Sequence, residues 1–200
     1  MSNTNAPFGL SPVQHLDGSP WNGRGRLYFI ASDDSNAFAI GDPVKSSGSG
    51  DANGVPGVTL ASAGTGNAVR GVILSMGGIK EGGPYADPTN LNTTIIPATK
   101  SQAYYVLVCD DPNTIFEIQE TNSGTALTKD EIGLNANLKS GTNNGFVSGW
   151  TLDNSGETTT STLQLHLLGL ARRPNNAFGL AAKWLVMINN HELKAGTSGL

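Results

Sequence analysis

Two long β segments in the last third of the chain constrain the fold more than any other feature. In the first, Leu163, Leu165 and Leu167 fall on one face of an extended strand. In the second, both faces of residues 183–188 are largely apolar, which is typical of a strand at the centre of a sheet. An Arg-Pro-Asn-Asn corner at 173–176 separates the two segments. The chain therefore closes on a β-sheet, with no helix large enough to carry a cofactor.

Short β segments separated by turn residues continue through the rest of the chain. Gly alone makes up 26 of the 200 residues, and about nine or ten strands are expected at short intervals. This pattern predicts an all-β fold, either a jelly roll or a β-sandwich or barrel, formed by residues 26–200 as a single β domain. Long loops are expected at 46–54 and 77–92. One helical turn is expected at 128–131, where Thr-Lys-Asp-Glu has the form of a capping box.

Residues 1–25 are predicted to form an extended N-terminal arm, because their prolines and glycines exclude a helix and most sheet positions. The arm also carries spaced apolar side chains, which disordered tails lack. Such an arm is docked on something, and two alternatives remain open: it wraps its own domain, or it grips a neighbouring molecule. In the second case its contact residues are Phe8, Leu10, Val13, Leu16 and Trp21.

The low fraction of charged residues is typical of a protein that functions in a complex with other molecules. Charged residues are 14% of the chain, against about 25% in an average protein. A surface of Thr, Ser, Asn and Gly suits a protein packed against others, although an ordinary secreted β protein has a similar surface. The net charge is −4 and no basic cluster is longer than Arg172-Arg173, so direct nucleic-acid binding is not expected. No apolar run is long enough to span a bilayer, and no membrane partner is expected.

The residues that could carry chemistry do not form a catalytic pattern. The three histidines lack the spacing of a zinc site. Glu117 and Glu120 are three residues apart on a strand, so they point to opposite faces and could not flank one glycosidic bond. Cys109 lies in a β run and is predicted to be a small core residue. We expect no enzymatic activity, no cofactor and no bound metal.

Several blocks of the chain resemble virion proteins of tailed bacteriophages, mostly podovirus-like ones. The opening block is Pro-Phe-Gly-Leu-Ser-Pro-Val-Gln-His-Leu-Asp-Gly-Ser-Pro-Trp-Asn-Gly, at 7–23. Ile-Gly-Asp-Pro-Val-Lys, Asp-Ala-Asn-Gly-Val-Pro and Asp-Pro-Asn-Thr-Ile-Phe-Glu-Ile-Gln-Glu follow. The closing blocks, Leu-Gly-Leu-Ala-Arg-Arg-Pro-Asn-Asn and Ala-Lys-Trp-Leu-Val-Met-Ile-Asn-Asn-His, match most closely. These motifs are structural, and none carries a catalytic residue.

The resemblance implies a capsid cement or decoration protein, a class that is β-rich, often jelly-roll-like, and multimeric on the outer shell. The implied partners are the phage major capsid protein and the chain itself, as a homodimer first and a trimer second. The implied location is the outer surface of the phage head in the virion, after synthesis in the host bacterial cytoplasm. The arm residues then become the capsid contacts.

An alternative reading is a carbohydrate-binding or adhesive virion module, such as part of a fibre. That function needs exposed aromatic rings in a groove. The sequence offers three candidates: Trp21, Tyr85 and Trp150.

Overall fold

The computed structural model describes residues 3–79, 86–87, 94–196 and 198–199, and these residues form an all-β fold as predicted. They contain fifteen strands, six of which are only two residues long, which leaves nine longer ones. The strands are β1 Ser11–His15, β2 Arg26–Ile30, β3 Phe38–Ala39, β4 Pro43–Gly50, β5 Pro56–Leu60, β6 Gly71–Ile79, β7 Ala86–Asp87, β8 Ile95–Ile96, β9 Tyr104–Cys109, β10 Thr114–Gln119, β11 Asn135–Ala136, β12 Leu138–Lys139, β13 Thr151–Leu152, β14 Leu165–Leu170 and β15 Lys183–Ile188.

Five strands close into a small barrel, because β4 pairs with β5 on one side and with β6 on the other. The ring runs β4-β5-β2-β9-β6, and its β2–β5 pair is parallel through Phe29 and Gly57. Apolar side chains from all five strands form one buried core. The β3–β8 pair adds Phe38 and Ile96 to that core.

The second layer is a five-stranded antiparallel sheet in the order β1-β10-β15-β14-β11. Strand β15 lies at its centre, as its two apolar faces predicted. Trp184 and Val186 of β15 pack with Phe116 of β10 in a second core. Val72 and Cys109 of the barrel strands belong to this second core as well, so the barrel wall packs against the sheet.

The structure places strand residues in both of the predicted long loops, 46–54 and 77–92. Most of 46–54 is strand, because β4 continues to Gly50 and pairs with Pro56, and the Asp51 side chain closes the turn by accepting from Val55 N at 2.8 Å. That expectation was wrong because backbone pairing in a hairpin does not need apolar side chains. Within 77–92, β6 ends at Ile79 and β7 covers 86–87, while the remaining residues of that predicted loop lie outside the described ones.

The predicted helical turn is confirmed as a 3₁₀ turn, Lys129–Glu131. Thr128 accepts from Asp130 N, and the Glu131 carboxylate accepts from Thr128 N, which completes the capping box. No helix in the described part of the chain is long and apolar enough to cross a membrane.

Candidate interaction surface

The first residues of the arm are hydrogen-bonded to their own domain. The Asn3 side chain donates to Ala177 O at 2.9 Å, and Ala177 N donates back to Asn3 Oδ1 at 3.0 Å. Ala6 N donates to Gln119 Oε1, and Gln119 Nε2 donates to Asn5 Oδ1, both at 2.8 Å. Of the two alternatives left open by the sequence, the described residues show the arm wrapped on its own domain. A neighbouring protein can therefore contact only the side chains that remain exposed after the arm has docked on its own domain.

Three separate segments meet through their main chains where the arm enters the core. Leu10 N donates to Gly41 O at 3.0 Å, and Ser148 N donates to Ile40 O at 2.8 Å. Gly9 has φ +70° and Gly41 has φ +90°. Residues other than glycine rarely adopt this backbone conformation. A Cβ at Gly9 would collide with both Gly41 O and Ser148. The arm is thus held in place by backbone contact at this junction.

The segments that meet at this junction carry no charged residue. They are residues 3–14 of the arm, residues 35–41, and residues 140–152. We call the surface that they form the uncharged face. Its most exposed apolar side chain is Phe146, at 66% exposure, and Ile40 of the neighbouring segment is also exposed. An exposed phenylalanine in uncharged surroundings is typical of the centre of a protein–protein interface.

The loop that presents Phe146 is organised by two asparagine side chains. Asn144 Oδ1 accepts from Phe146 N and from Val147 N, both at 3.0 Å. Asn143 Oδ1 accepts from Gly145 N at 3.1 Å. These side-chain-to-backbone bonds fix the turn before any partner arrives. Sequence reasoning recognised the turn but missed Phe146, although the long uncharged run around it was a visible signal.

A shallow groove of about 360 Å³ borders the docked arm on the same side of the molecule. Asn5 and Pro7 form one wall, and residues 121–123 with 139–141 contribute to the rest of the lining. Lys139 is the one charged residue in that lining. Apart from Lys139, the residues that line the groove are small or uncharged, which extends the uncharged face beyond Phe146.

Asp42 lies buried directly beneath the glycine junction. Its Oδ2 accepts from Ala39 N at 2.7 Å, and the Ser148 hydroxyl donates to the same carboxylate. Burial raises the pKa of Asp42 to about 6, which outweighs the lowering by these two hydrogen bonds. The ionised carboxylate is therefore an unfavourable element of the fold at neutral pH.

The structure separates the five predicted contact residues. Leu10 is only 1% exposed and belongs to the core between barrel and sheet, so it cannot contact a partner, and that part of the prediction is corrected. The prediction treated every spaced apolar side chain of the arm as a surface anchor, but the hydrogen bond from Leu10 N to Gly41 O holds this part of the arm against the core. Phe8 and Trp21 are half-buried, while Val13 and Leu16 are exposed.

Residues 11–21 of the arm form a hairpin at the edge of the five-stranded sheet. Strand β1 pairs with β10, and the chain then turns so that Gln14 bridges to Pro20 and His15 N donates to Ser19 O at 2.9 Å. The returning segment covers part of the outer edge of β1, which otherwise presents unpaired backbone groups. Leu16, at 54% exposure, lies in the bend of this hairpin.

A second groove, of about 400 Å³, brings His15, Asp111 and Cys109 into one lining. His15 Nδ1 lies 3.2 Å from Asp111 Oδ2, an arrangement that could orient an imidazole. The Cys109 thiol, however, is directed to Thr114 Oγ1 at 3.6 Å, and burial raises its pKa. A nucleophilic cysteine needs the opposite shift. Cys109 is a buried core residue, as the sequence predicted.

The two glutamates of the β10 region have unrelated surroundings. Glu117 pairs with Arg173 at 2.6 Å. Glu120 is fully buried and accepts from Leu127 N and from Trp184 Nε1, each at 3.0 Å, and burial raises its pKa. Glu120 thus ties a loop and a core tryptophan together. No group of three or more His, Cys, Asp and Glu side chains arranged to hold a metal ion occurs in the part of the chain that the structure describes.

Of the three candidate glycan-binding aromatic residues, the two that the structure describes, Trp150 and Trp21, do not form a common platform. Trp150 is 3% exposed and belongs to the core, so it cannot stack on a sugar ring, and its assignment is corrected. Trp21 is half-buried against the second groove. Tyr85 lies outside the described residues.

The chain matches no family model, no curated protein and no solved structure. The functional argument therefore proceeds from the residues and their geometry.

Proposed function

We propose that this protein is a structural virion protein, a capsid cement or decoration protein that binds the outside of a tailed-phage head. In this proposal it stabilises the contacts between neighbouring major capsid proteins. The observation that carries the proposal is the uncharged face, with Phe146 exposed on a turn that Asn143 and Asn144 hold in shape. The resemblance of the opening and closing sequence blocks to phage virion proteins gives the proposal its biological setting.

The uncharged face has the properties of a surface that binds another protein. Interface centres are depleted in charge and enriched in aromatic residues, which supply most of the binding energy. Complete burial of a phenylalanine side chain is worth about 1.5–3 kcal/mol. Repetition of such a contact over a symmetric shell multiplies its effect, because each bound copy holds several neighbours together.

The docked arm contributes rigidity to this surface. Hydrogen bonds from Asn3 and Ala6 hold it in place without a partner, so little conformational entropy remains to be lost on binding. The low charge of the whole chain fits the same role, because a bound protein relies less on its own charge for solubility.

The experiment uses expanded phage capsids that lack this protein, and measures binding of the purified chain by co-sedimentation. Phe146→Asp places a charge at the proposed centre of the interface and is expected to weaken binding at least about tenfold. Leu193→Asp, at an exposed apolar residue outside the uncharged face, is the matched control and is expected to bind like the parent chain. Failure of the parent chain to bind would overturn the proposed function, and equal binding of Phe146→Asp would overturn the assignment of the face.

A further inference from the structure

A groove of about 550 Å³ lies beside strand β14, and residues outside the uncharged face line it. Two exposed apolar side chains contribute to the lining, Ile132 at 43% exposure and Phe178 at 46%. Leu168, Leu170 and Leu185 are half-buried in the same lining. We call this surface the β14 groove. Exposed apolar side chains that together line a groove are typical of a binding surface.

One side of β14 is open along this groove. Strand β11 pairs only with the first two residues of β14, and Leu167 O then accepts from Gly133 N at 2.9 Å. Beyond Leu167, no strand in the described part of the chain pairs with this side of β14. Ala171 N donates to Lys183 O of β15, on the opposite side, at 2.9 Å. Because neighbouring residues of a strand direct their main-chain groups to opposite sides, the N–H and C=O of Leu170 face the open side.

The described lining of the β14 groove carries positive charge and no acidic side chain. Arg172 and Arg173 are its two charged residues. The Arg173 guanidinium pairs with the Glu117 carboxylate at 2.6 Å, so its charge is already balanced. Arg172 is exposed and makes no hydrogen bond or ion pair with any residue that the structure describes. One uncompensated positive charge beside an apolar groove favours an acidic occupant over a basic one.

We propose that the β14 groove binds an extended, acidic segment of another protein, which adds to the sheet as a strand beside β14. The main chain of Leu170 supplies hydrogen bonds to the segment, and Ile132 and Phe178 contact the apolar side chains that alternate along it. Arg172 pairs with a carboxylate of the segment. In this mode of recognition the main chain supplies affinity and the side chains supply selectivity. The proposal does not depend on capsid binding, because it concerns a separate surface of the purified chain.

The loop that borders the β14 groove is held in place before a partner arrives. Asn176 Nδ2 donates to Ala171 O and to Lys183 O, at 2.8 Å each. The Phe178 ring lies 5.7 Å from the Trp184 ring of the core, which restricts its position beside the groove. An ordered loop loses little conformational entropy when a ligand binds.

The test measures the binding of synthetic peptides with blocked ends to the full-length chain by NMR titration. One peptide alternates Val with Glu, and the other alternates Val with Lys. The parent chain is expected to bind the acidic peptide at least about tenfold more tightly, with the largest signal shifts at the Leu170 amide and its neighbours. In Arg172→Glu this preference is expected to reverse. Arg24→Glu, an equal charge change at an exposed residue outside the groove, is the control and is expected to keep the preference of the parent chain.

A third peptide distinguishes strand addition from charge attraction alone. It is the acidic peptide with every main-chain nitrogen methylated, which removes the donors that a strand needs, and it is expected to bind at least about tenfold more weakly. Failure of the acidic peptide to bind, an unchanged preference in Arg172→Glu, or full binding of the methylated peptide would overturn the proposal. Self-association of the parent chain through the β14 groove would also overturn it, because the occupant would then be a second copy. None of these results bears on capsid binding.

Discussion

Replacement of Asp42 by asparagine is expected to stabilise the protein at neutral pH. The Asp42 carboxylate has an ordinary pKa of 3.8, which burial raises to about 6 in the folded chain. Between these values the folded state holds a proton that the unfolded state has lost, so stability falls as pH rises from about 4 to 6. The full difference corresponds to roughly 3 kcal/mol lost above pH 6, at 1.36 kcal/mol for each pKa unit.

Asparagine removes this loss while it keeps an oxygen that can accept from Ala39 N. The free energy of unfolding, measured by urea titration at pH 7, is therefore expected to rise by up to about 3 kcal/mol in Asp42→Asn. At pH 3.5, where the folded state holds the proton and most of the unfolded chains hold it too, the two proteins are expected to be nearly equal in stability. Asp33→Asn on an exposed turn is the control for simple loss of negative charge. A variant that is equally stabilised at both pH values, or destabilised at pH 7, would refute the reasoning.

Three further predictions follow from the arm and the uncharged face. Leu10→Ala leaves a cavity in the core and is expected to lower the free energy of unfolding by about 2–5 kcal/mol in urea titrations; a loss below 1 kcal/mol would contradict its burial. Gly41→Ala is expected to lower the melting temperature clearly, whereas Gly54→Ala, also at positive φ but in open space, is expected to cost less. Asn144→Ala is expected to weaken capsid binding while its melting temperature stays near that of the parent chain, and unchanged binding would remove Asn144 from the positioning of Phe146.

The sequence was most informative where strands are buried on a regular pattern. The alternation in β14 and the two apolar faces of β15 predicted strands, and the central place of β15 follows from burial on both sides. The capping box at Thr128 was equally easy to recognise in the sequence, because its hydrogen bonds join residues only two or three positions apart. The sequence predicted a barrel as one of several all-β folds, but it could not predict which strands close the barrel, because closure depends on pairings between distant segments, such as β4 with β6, which leave no local trace.

The uncharged face could be predicted only in part, because contacts between distant segments decide which of its apolar side chains are exposed. The spaced apolar residues of the arm correctly indicated that it is docked, but they could not tell Leu10, which enters the core, from Leu16, which stays exposed. That difference is set by the contact of Gly9 with Gly41 and Ser148, residues far apart in the chain. Phe146 was overlooked because one aromatic residue in a turn has no periodicity, and its exposure appears only in the folded chain.

Cryo-electron microscopy of the intact phage particle tests the central claim most directly. The account predicts density for this protein on the outside of the shell, with Phe146 and Ile40 of the uncharged face turned towards the major capsid protein. Density with the uncharged face directed into solvent, or a mature particle that contains no copy of the chain, would contradict it.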